Sequence, residues 1–262
     1  MINDKQAEML TTNCVTSSLL MDQVEKTKTK TKSKSYVMDL RVQSPENIGY
    51  SGFTGFDSAP AIVRLAKVKG LDVIAITDLF SAQFVDRMVE AARGSALTVI
   101  PGVGLRCTVG ACRDVILSCL FPESARAETI NQFLRDLKVP PDINERQGYT
   151  LSQPLDQVLH ALESYQGIAI PSRLDKTPNR MAVIPELVEN YGFRAFDLAY
   201  ADTANYFKKR WPKQKFHLYS FSDANALAQI GSRIAKVKLA APGFIGIREV
   251  VAREGGLVGQ NG

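Results

Sequence analysis

Histidine and cysteine, the side chains that most often hold transition metals, are scarce in this chain of 262 residues. Its only histidines are His160 and His217, and its four cysteines contain no CxxC pair. Structural zinc sites combine such residues at tight spacing. The pattern therefore excludes a histidine-rich metal centre and favours reduced, mostly buried thiols.

Basic side chains, by contrast, are concentrated in two segments. Five lysines alternate with threonine and serine between Lys26 and Lys34, which is typical of a solvated linker or of a tether to nucleic acid. Between Tyr206 and Phe216, basic residues are interleaved with aromatics, which suits a nucleic-acid surface. A helix with lysines in water and aromatics packed inward would show the same pattern. The basic residues of this segment are Lys208, Lys209, Arg210, Lys213 and Lys215.

The composition of the whole chain is that of a globular protein. Hydrophobic residues make up 45% and charged residues 23%, with a net charge of +5, which excludes disordered, collagen-like and coiled-coil chains. No apolar run approaches the roughly 18 residues that span a bilayer, and no signal-peptide pattern opens the chain. We therefore expect a cytoplasmic protein with no membrane association. We predict a flexible polar extension over residues 1–35 and a folded domain over residues 36–262.

Strand-like and helix-like segments alternate in the folded part. Leu71–Thr77 is a continuous apolar run, typical of a strand buried on both faces of a parallel sheet. Further predicted strands include Met38–Val42, Leu97–Val103 and Phe193–Ala199. About seven such strands predict an α/β barrel or a doubly wound sheet, where chemistry lies at the C-terminal strand ends. The charged and amide residues near those ends include Arg41, Gln43, Asp78, Arg173, Asp223 and Asn225.

Five motifs at these strand ends resemble, in the same order, the PHP (polymerase and histidinol phosphatase) family. They read DLRVQS from Asp39, KGLDVIAITDL from Lys69, PGVG from Pro101, IPSRLDK from Ile170 and SDANALAQIG from Ser222. The resemblance covers about residues 36–256. It implies a distorted (β/α)7 barrel that hydrolyses phosphoesters with two or three ions of manganese, zinc or iron.

The positions of the family's metal ligands are mostly occupied by other residue types. Asp223 keeps a ligand type, with Asp78 beside it as a supporting carboxylate, while Gly104 replaces a glutamate. One carboxylate cannot hold a two-metal cluster, so we expect a pseudoenzyme with no catalytic residue and no metal cofactor. The family's histidine positions fall on Arg41, Gln43, Leu79, Arg173 and Asn225.

Two of these replacements are arginines, and they leave two interpretations open. A guanidinium is always protonated and can fork to a carboxylate, so Arg41 and Arg173 can pair with Asp78 and Asp223 and plug the former site. Alternatively, Arg41, Arg173 and Lys176 bind an external anion such as phosphate without hydrolysing it.

Three functions follow from this resemblance and these departures. The first is a non-catalytic binding, regulatory or assembly subunit with a protein partner and, as further options, a phosphate-bearing ligand or nucleic acid. The second is a phosphoesterase with a reduced metal site. The third is a nucleic-acid accessory protein that uses the two basic segments.

Overall fold

The computed structural model describes residues 33–45, 58–141, 143 and 148–254. The predicted extension over residues 1–35 lies outside this part of the chain, apart from its last three residues. The strands are β1 (Lys34–Val42), β2 (Val73–Ile76), β3 (Thr98–Ile100), β4 (Gly102–Val109), β5 (Cys112–Leu120), β6 (Ile168–Ser172), β7 (Ala195–Asp197), β8 (His217–Tyr219) and β9 (Ala235–Leu239). The α-helices are α1 (Ala59–Val68), α2 (Val85–Ala92), α3 (Ala127–Asp136), α4 (Leu155–Ser164), α5 (Pro178–Met181), α6 (Ile184–Glu189), α7 (Thr203–Arg210) and α8 (Gly243–Val251).

These strands form two sheets. The first has the order β3-β2-β1-β9 and the second the order β4-β5-β6-β7-β8. β1, β2 and β3 are parallel, as are β6, β7 and β8, whereas β9 is antiparallel to β1 and β5 is antiparallel to both of its neighbours. The mixed α/β class is confirmed, but the described strands do not form a closed barrel, and the predicted (β/α)7 barrel is not confirmed.

A hairpin that the sequence did not reveal accounts for part of this difference. We predicted a single strand over Leu97–Val103, but Pro101 separates β3 from β4, and β4 returns as β5. The connection consists of Gly110 and Ala111. Gly110 has a φ of 52°, a conformation that glycine adopts without steric cost, so the turn can be very tight.

Alternate residues of the strands face different apolar layers. Val73 of β2 belongs to the same buried cluster as Ile168 of β6, so the two sheets face each other. Ile74, the next residue, belongs to a cluster with α1 and α2 on the outer face, because successive strand residues point to opposite sides. This double burial is what the continuous apolar run over 71–77 predicted.

Backbone contacts join the sheets just beyond the C-terminal ends of β2 and β1. The amide of Gly104 in β4 donates to the carbonyl of Asp78 after β2, at 2.9 Å. A Cβ on residue 104 would lie 3.0 Å from the carbonyl oxygen of Thr77, so glycine is what permits this approach. The amide of Gln43 donates to the carbonyl of Ala224 at 2.9 Å, which joins the end of β1 to the segment after β8.

The sequence predicted no membrane-spanning segment. Of the helices that the structure describes, none is long and apolar enough to cross a bilayer.

Candidate anion-binding site at the strand ends

The strand ends surround a polar pocket of about 240 Å³. Its walls come from both sheets and from the segment between β6 and α5. Five lining residues are basic and one is acidic. The lining residues are Arg41, Gln43, Thr77, Leu79, Gly104, Arg106, Ile116, Ser118, Arg173, Lys176, Arg180 and Asp223.

Arg41 and Asp223 form the closest charge pair of this pocket. The Nε of Arg41 donates to Oδ1 of Asp223 at 2.8 Å, and Nε2 of Gln43 donates to the same oxygen at 3.2 Å. Lys176 Nζ lies 3.5 Å from Oδ2 of Asp223. Burial raises the pKa of Asp223, but Arg41, Arg173 and Lys176 outweigh it and hold the pKa below its ordinary value. Asp223 is therefore a carboxylate at neutral pH.

Arg173 is buried, with 3% of its surface exposed. Its guanidinium donates to the carbonyls of Leu198, at 3.3 Å, and Phe221. Its Nε lies 3.8 Å from Oδ2 of Asp223, which is too long for a hydrogen bond. The backbone holds this charge firmly, and the carboxylates near it leave Nε without a close partner.

Asp197 is a site residue that the sequence analysis missed. It ends β7, is fully buried, and accepts from the amide of Phe221 through Oδ1 at 2.9 Å. Its Oδ2 lies 3.5 Å from Arg173 Nε and 3.8 Å from Arg41 Nη1. Burial raises the pKa of Asp197 to about 6, against the opposing effect of the two arginines. The sequence does mark Asp197, because it is the one charged side chain in the middle of the apolar segment Ala195–Ala199.

Three polar atoms at the centre of this cluster have no hydrogen-bond partner among the described residues. They are Nη1 of Arg41, Nε of Arg173 and Oδ2 of Asp197, and all three are buried. Buried N–H groups are almost always hydrogen-bonded in native structures. Oδ2 of Asp197 lies 3.8 Å from Nη1 of Arg41 and 3.5 Å from Nε of Arg173, so the three atoms form an ion-paired cluster that is short of hydrogen bonds.

Asp78 has a different environment from Asp223. Its Oδ1 accepts from the amide of Ser44 at 2.6 Å and its Oδ2 from the hydroxyl of Ser44 at 2.5 Å. Burial raises its pKa to about 6. The predicted partner of the arginines is thus bonded to Ser44, behind the pocket rather than in its lining.

A second pocket, of about 440 Å³, adjoins the first and contains Asn225. It shares Arg173, Lys176 and Asp223 with the first pocket and adds Arg233. Of the six residues predicted at the strand ends, four therefore line the first pocket, Asn225 lines its neighbour, and Asp78 lies behind.

Two further arginines of the first pocket were not predicted. Arg106 Nε lies 3.1 Å from Oδ1 of Asp114, and Arg180 Nε donates to Oδ2 of the same residue at 3.1 Å. Arg106 and Asp114 belong to the β4–β5 hairpin. Because that hairpin was not predicted, the position of Arg106 and Arg180 beside the site was not predicted either.

Backbone conformation sets three strand ends apart. Arg173 and Asp223 have φ angles of 56° and 55°, and Phe80, two residues after Asp78, has 55°. Non-glycine residues rarely adopt positive φ, and such strain collects at functional sites. Three of the five described non-glycine residues with positive φ thus lie at these strand ends.

The basic segment after β7 lines neither of these two pockets. Lys208, Lys209 and Arg210 are exposed on the last turn of α7, whereas Phe207 and Trp211 are buried. The aromatic rings pack on one another, with Phe207 and Trp211 centroids 5.8 Å apart. These two rings face the core, so they are not a platform for stacking bases.

The donor set does not fit a multi-metal cluster. Within the described residues, no three His, Cys, Asp or Glu side chains come together as metal ligands. Two guanidinium groups lie among the carboxylates instead. The expected lack of a metal cofactor stays a prediction.

Comparison with known proteins identifies the fold. No protein-family model and no curated protein matches the sequence, but solved structures do match the fold. An Endonuclease Q complex with a 27-mer duplex substrate has a TM-score of 0.58 and 14% identity, over 82% of this chain and 56% of that one. This chain thus spans about half the length of Endonuclease Q.

Two further structures match over nearly their whole length. A protein from Bifidobacterium adolescentis, named for a proposed metal-dependent phosphoesterase activity, has a TM-score of 0.53 and 12% identity, over 85% of this chain and 98% of that one. An amidohydrolase from Chromobacterium violaceum, with bound sulfate and no metal, has a TM-score of 0.53 and 13% identity, over 82% and 97%. The chain therefore shares a fold with metal-dependent phosphoesterases, a nuclease and an amidohydrolase.

Proposed function

We propose that this chain is a PHP-like domain of the distorted-barrel type whose strand-end pocket binds a phosphate-bearing ligand without hydrolysing it. The observation that carries this proposal is the lining of the pocket, in which five basic residues and one acidic residue surround about 240 Å³. The protein then acts as a binding or regulatory subunit rather than as an enzyme.

The charge balance of the pocket supports an anionic ligand. Five basic residues line it, and three carboxylates, those of Asp114, Asp197 and Asp223, lie against them. Two positive charges remain uncompensated, which matches the charge of roughly −1.5 to −2 on a phosphomonoester at neutral pH. Arginine also suits such a ligand because its planar fork can bind two phosphate oxygens.

The residue types explain why binding would not lead to hydrolysis. The phosphoesterases of this fold depend on metal-activated water, and the described ligand positions hold guanidinium and amide groups instead. The amidohydrolase neighbour, which holds sulfate and no metal, supports the idea that this fold can accept a tetrahedral anion.

Thermal unfolding with inorganic phosphate tests the proposal. Phosphate should raise the melting temperature of the wild-type protein, because a ligand that binds only the folded state stabilises it. Lys176→Ala, at a half-exposed lining residue, should reduce that rise without unfolding the protein. Lys209→Ala, an exposed residue outside both pockets, is the matched control and should respond like the wild type.

Two results would overturn the proposal. One is an equal response of wild type and Lys176→Ala. The other is hydrolysis of an aryl phosphate that survives rigorous purification and disappears in Asp223→Ala, which would favour the phosphoesterase with a reduced metal site.

Nucleic acid is the second candidate ligand, and the Endonuclease Q complex with duplex DNA is the observation that favours it. Retention on duplex DNA that weakens steeply with salt would indicate contacts to several phosphates. If Lys208→Ala and Lys209→Ala weaken that retention while Lys176→Ala does not, the basic segment after β7 is the nucleic-acid surface.

A further inference from the structure

A groove of about 720 Å³ lies between β8 and β9, on a different part of the fold from the first pocket. Residues 215–220 line one side of it and residues 234–238 line the other. Tyr200, which also lines the second strand-end pocket, stands at one border.

The groove forms because β9 pairs with the first half of β1, whereas the segment after β8 forms its β-bridge with the last residue of β1. β9 pairs with the first half of β1, from Lys34 opposite Leu239 to Met38 opposite Ala235. The segment after β8 meets β1 only at its far end, where Val42 bridges Ala224. The two strands therefore diverge from a common neighbour instead of pairing with each other.

Each of these strands uses one edge for its sheet and leaves the other edge facing the groove. β8 pairs with β7 and β9 pairs with β1, and each is the last strand of its sheet among the described residues. An unpaired strand edge presents a row of N–H and C=O groups that can accept another extended segment. Here two such edges line a single groove.

The side chains of the groove specify the kind of segment. Lys215, Lys236 and Lys238 line it, and no aspartate or glutamate does. Tyr200 and Ile234 are 58% and 39% exposed and offer apolar contact. A partner with acidic and apolar residues in alternation would complement both features.

We propose that this groove binds an acidic segment of a partner protein as an added β-strand between β8 and β9. A strand occupies roughly 3.3 Å by 4.8 Å by 10 Å per residue, so the groove volume corresponds to roughly four or five residues. The segment after β8 bridges β1 in parallel and β9 is antiparallel to β1, so an added strand that follows β8 in direction would be antiparallel to β9.

The charge of the groove argues against two other occupants. The segment Lys26–Lys34 of this chain carries five lysines, which the groove lysines would repel. Edge pairing between two copies would likewise place the lysines of β9 close to those of the second copy. Like charges directly opposite each other destabilise strand pairing.

Fluorescence anisotropy with the full chain tests the proposal. The probe is a labelled peptide of alternating glutamate and valine, and the comparison peptides are its lysine–valine counterpart and the same acidic sequence N-methylated at alternate residues. We expect the acidic probe to bind, the basic one not to bind, and N-methylation to weaken binding at least about tenfold because it removes backbone donors.

A pair of charge reversals locates the binding. Lys236→Glu with Lys238→Glu changes two exposed side chains of β9 and should weaken binding of the acidic probe at least about tenfold through like-charge repulsion. Lys67→Glu with Lys69→Glu, two exposed residues at the end of α1, makes the same charge change outside the groove and should leave the affinity unchanged.

Several outcomes would overturn the proposal. They are no binding of the acidic probe at about 1 mM, equal binding of its N-methylated form, or equal weakening by the two pairs of reversals. Binding that appears only after deletion of residues 1–32 would instead identify a segment of this chain as the occupant. A dimer in sedimentation that the β9 reversals dissociate would identify a second copy.

Discussion

At the scale of single residues, Arg41 balances the negative charge of Asp223 in the site. Its Nε contacts Asp223 at 2.8 Å with both side chains largely buried, at 11% and 18% exposure. Removal of one member of a buried pair leaves an uncompensated charge, which costs more than the loss of the contact itself.

Arg41→Ala should therefore lower the free energy of unfolding by about 3 kcal/mol, as measured by urea denaturation. This is the low end of the usual range, because Asp223 keeps Lys176 nearby. The double variant with Asp223→Ala should cost less than the sum of the single changes. Arg93→Ala, which breaks the exposed pair with Glu90, is the control and should cost at most about 1 kcal/mol. Strict additivity at Arg41 and Asp223 would contradict this account.

Asp78 leads to a prediction about pH. Burial raises its pKa from 3.8 to about 6, so the folded state binds this proton more tightly than the unfolded state does. The contribution to stability is present below pH 3.8 and is lost as the pH rises through about 6.

Asp78→Asn should remove that loss, because an amide can keep both contacts with Ser44 and carries no charge. Relative to the wild type, the variant should gain stability between pH 4 and pH 6, by up to about 3 kcal/mol. Urea denaturation at a series of pH values measures the difference, with the exposed Glu90→Gln as control. A difference that is constant with pH would show that Asp78 is not titrating in this range.

At the scale of elements, β1 is the strand on which both the first sheet and the site depend. Its first half pairs with β9, and its last residues deliver Arg41 and Gln43 to the pocket. The strand begins at Lys34, earlier than the Met38 that its apolar alternation indicated. Tertiary pairing with β9 thus extends the strand into a polar segment.

Deletion of residues 1–32 should leave the melting temperature close to that of the full chain, because this stretch of sequence has no core-sized apolar face. Deletion of residues 1–37 should lower it clearly, since it also removes the four residues from Lys34 to Val37 that pair with β9. Circular dichroism melting curves make the comparison. A strong loss with the shorter deletion would show that residues 1–32 pack against the folded part.

Local pattern located most strands, including the antiparallel β5 and β9, but it did not give the direction of the antiparallel ones. A strand buried on both faces must be apolar throughout, so residues 71–77 could be recognised from the sequence as such a strand. The β4–β5 hairpin has the same apolar character as a parallel strand, and no periodicity distinguishes the two. The direction of β9 depends on a partner about 200 residues away, which no local pattern encodes.

The sequence likewise located some residues of the site and missed others. Strand ends could be located from the sequence, and so could Arg41, Gln43, Arg173 and Asp223. Asp197 lies within an apolar strand, and Arg106 and Arg180 reach the pocket only through the hairpin and its contact with Asp114. Such residues depend on three-dimensional proximity that the chain order does not show.

At the scale of the whole molecule, the chain combines a fold that it shares with an endonuclease and an amidohydrolase with a pocket lined by arginines. We predict that the purified protein carries less than one equivalent of manganese, zinc or iron, because the described donors do not fit a cluster. Elemental analysis after dialysis without chelator measures this. One or more bound ions per chain, lost in Asp223→Ala, would contradict the prediction.

The pairing of β1 with β9 also has a consequence for biosynthesis. β1 leaves the ribosome well before its partner Ala235–Leu239, which is synthesised some 200 residues later. At 5–20 residues per second, one edge of β1 stays without that partner for roughly 10–40 s. During that time the nascent chain carries an unpaired strand edge, and such edges are templates for pairing with other chains.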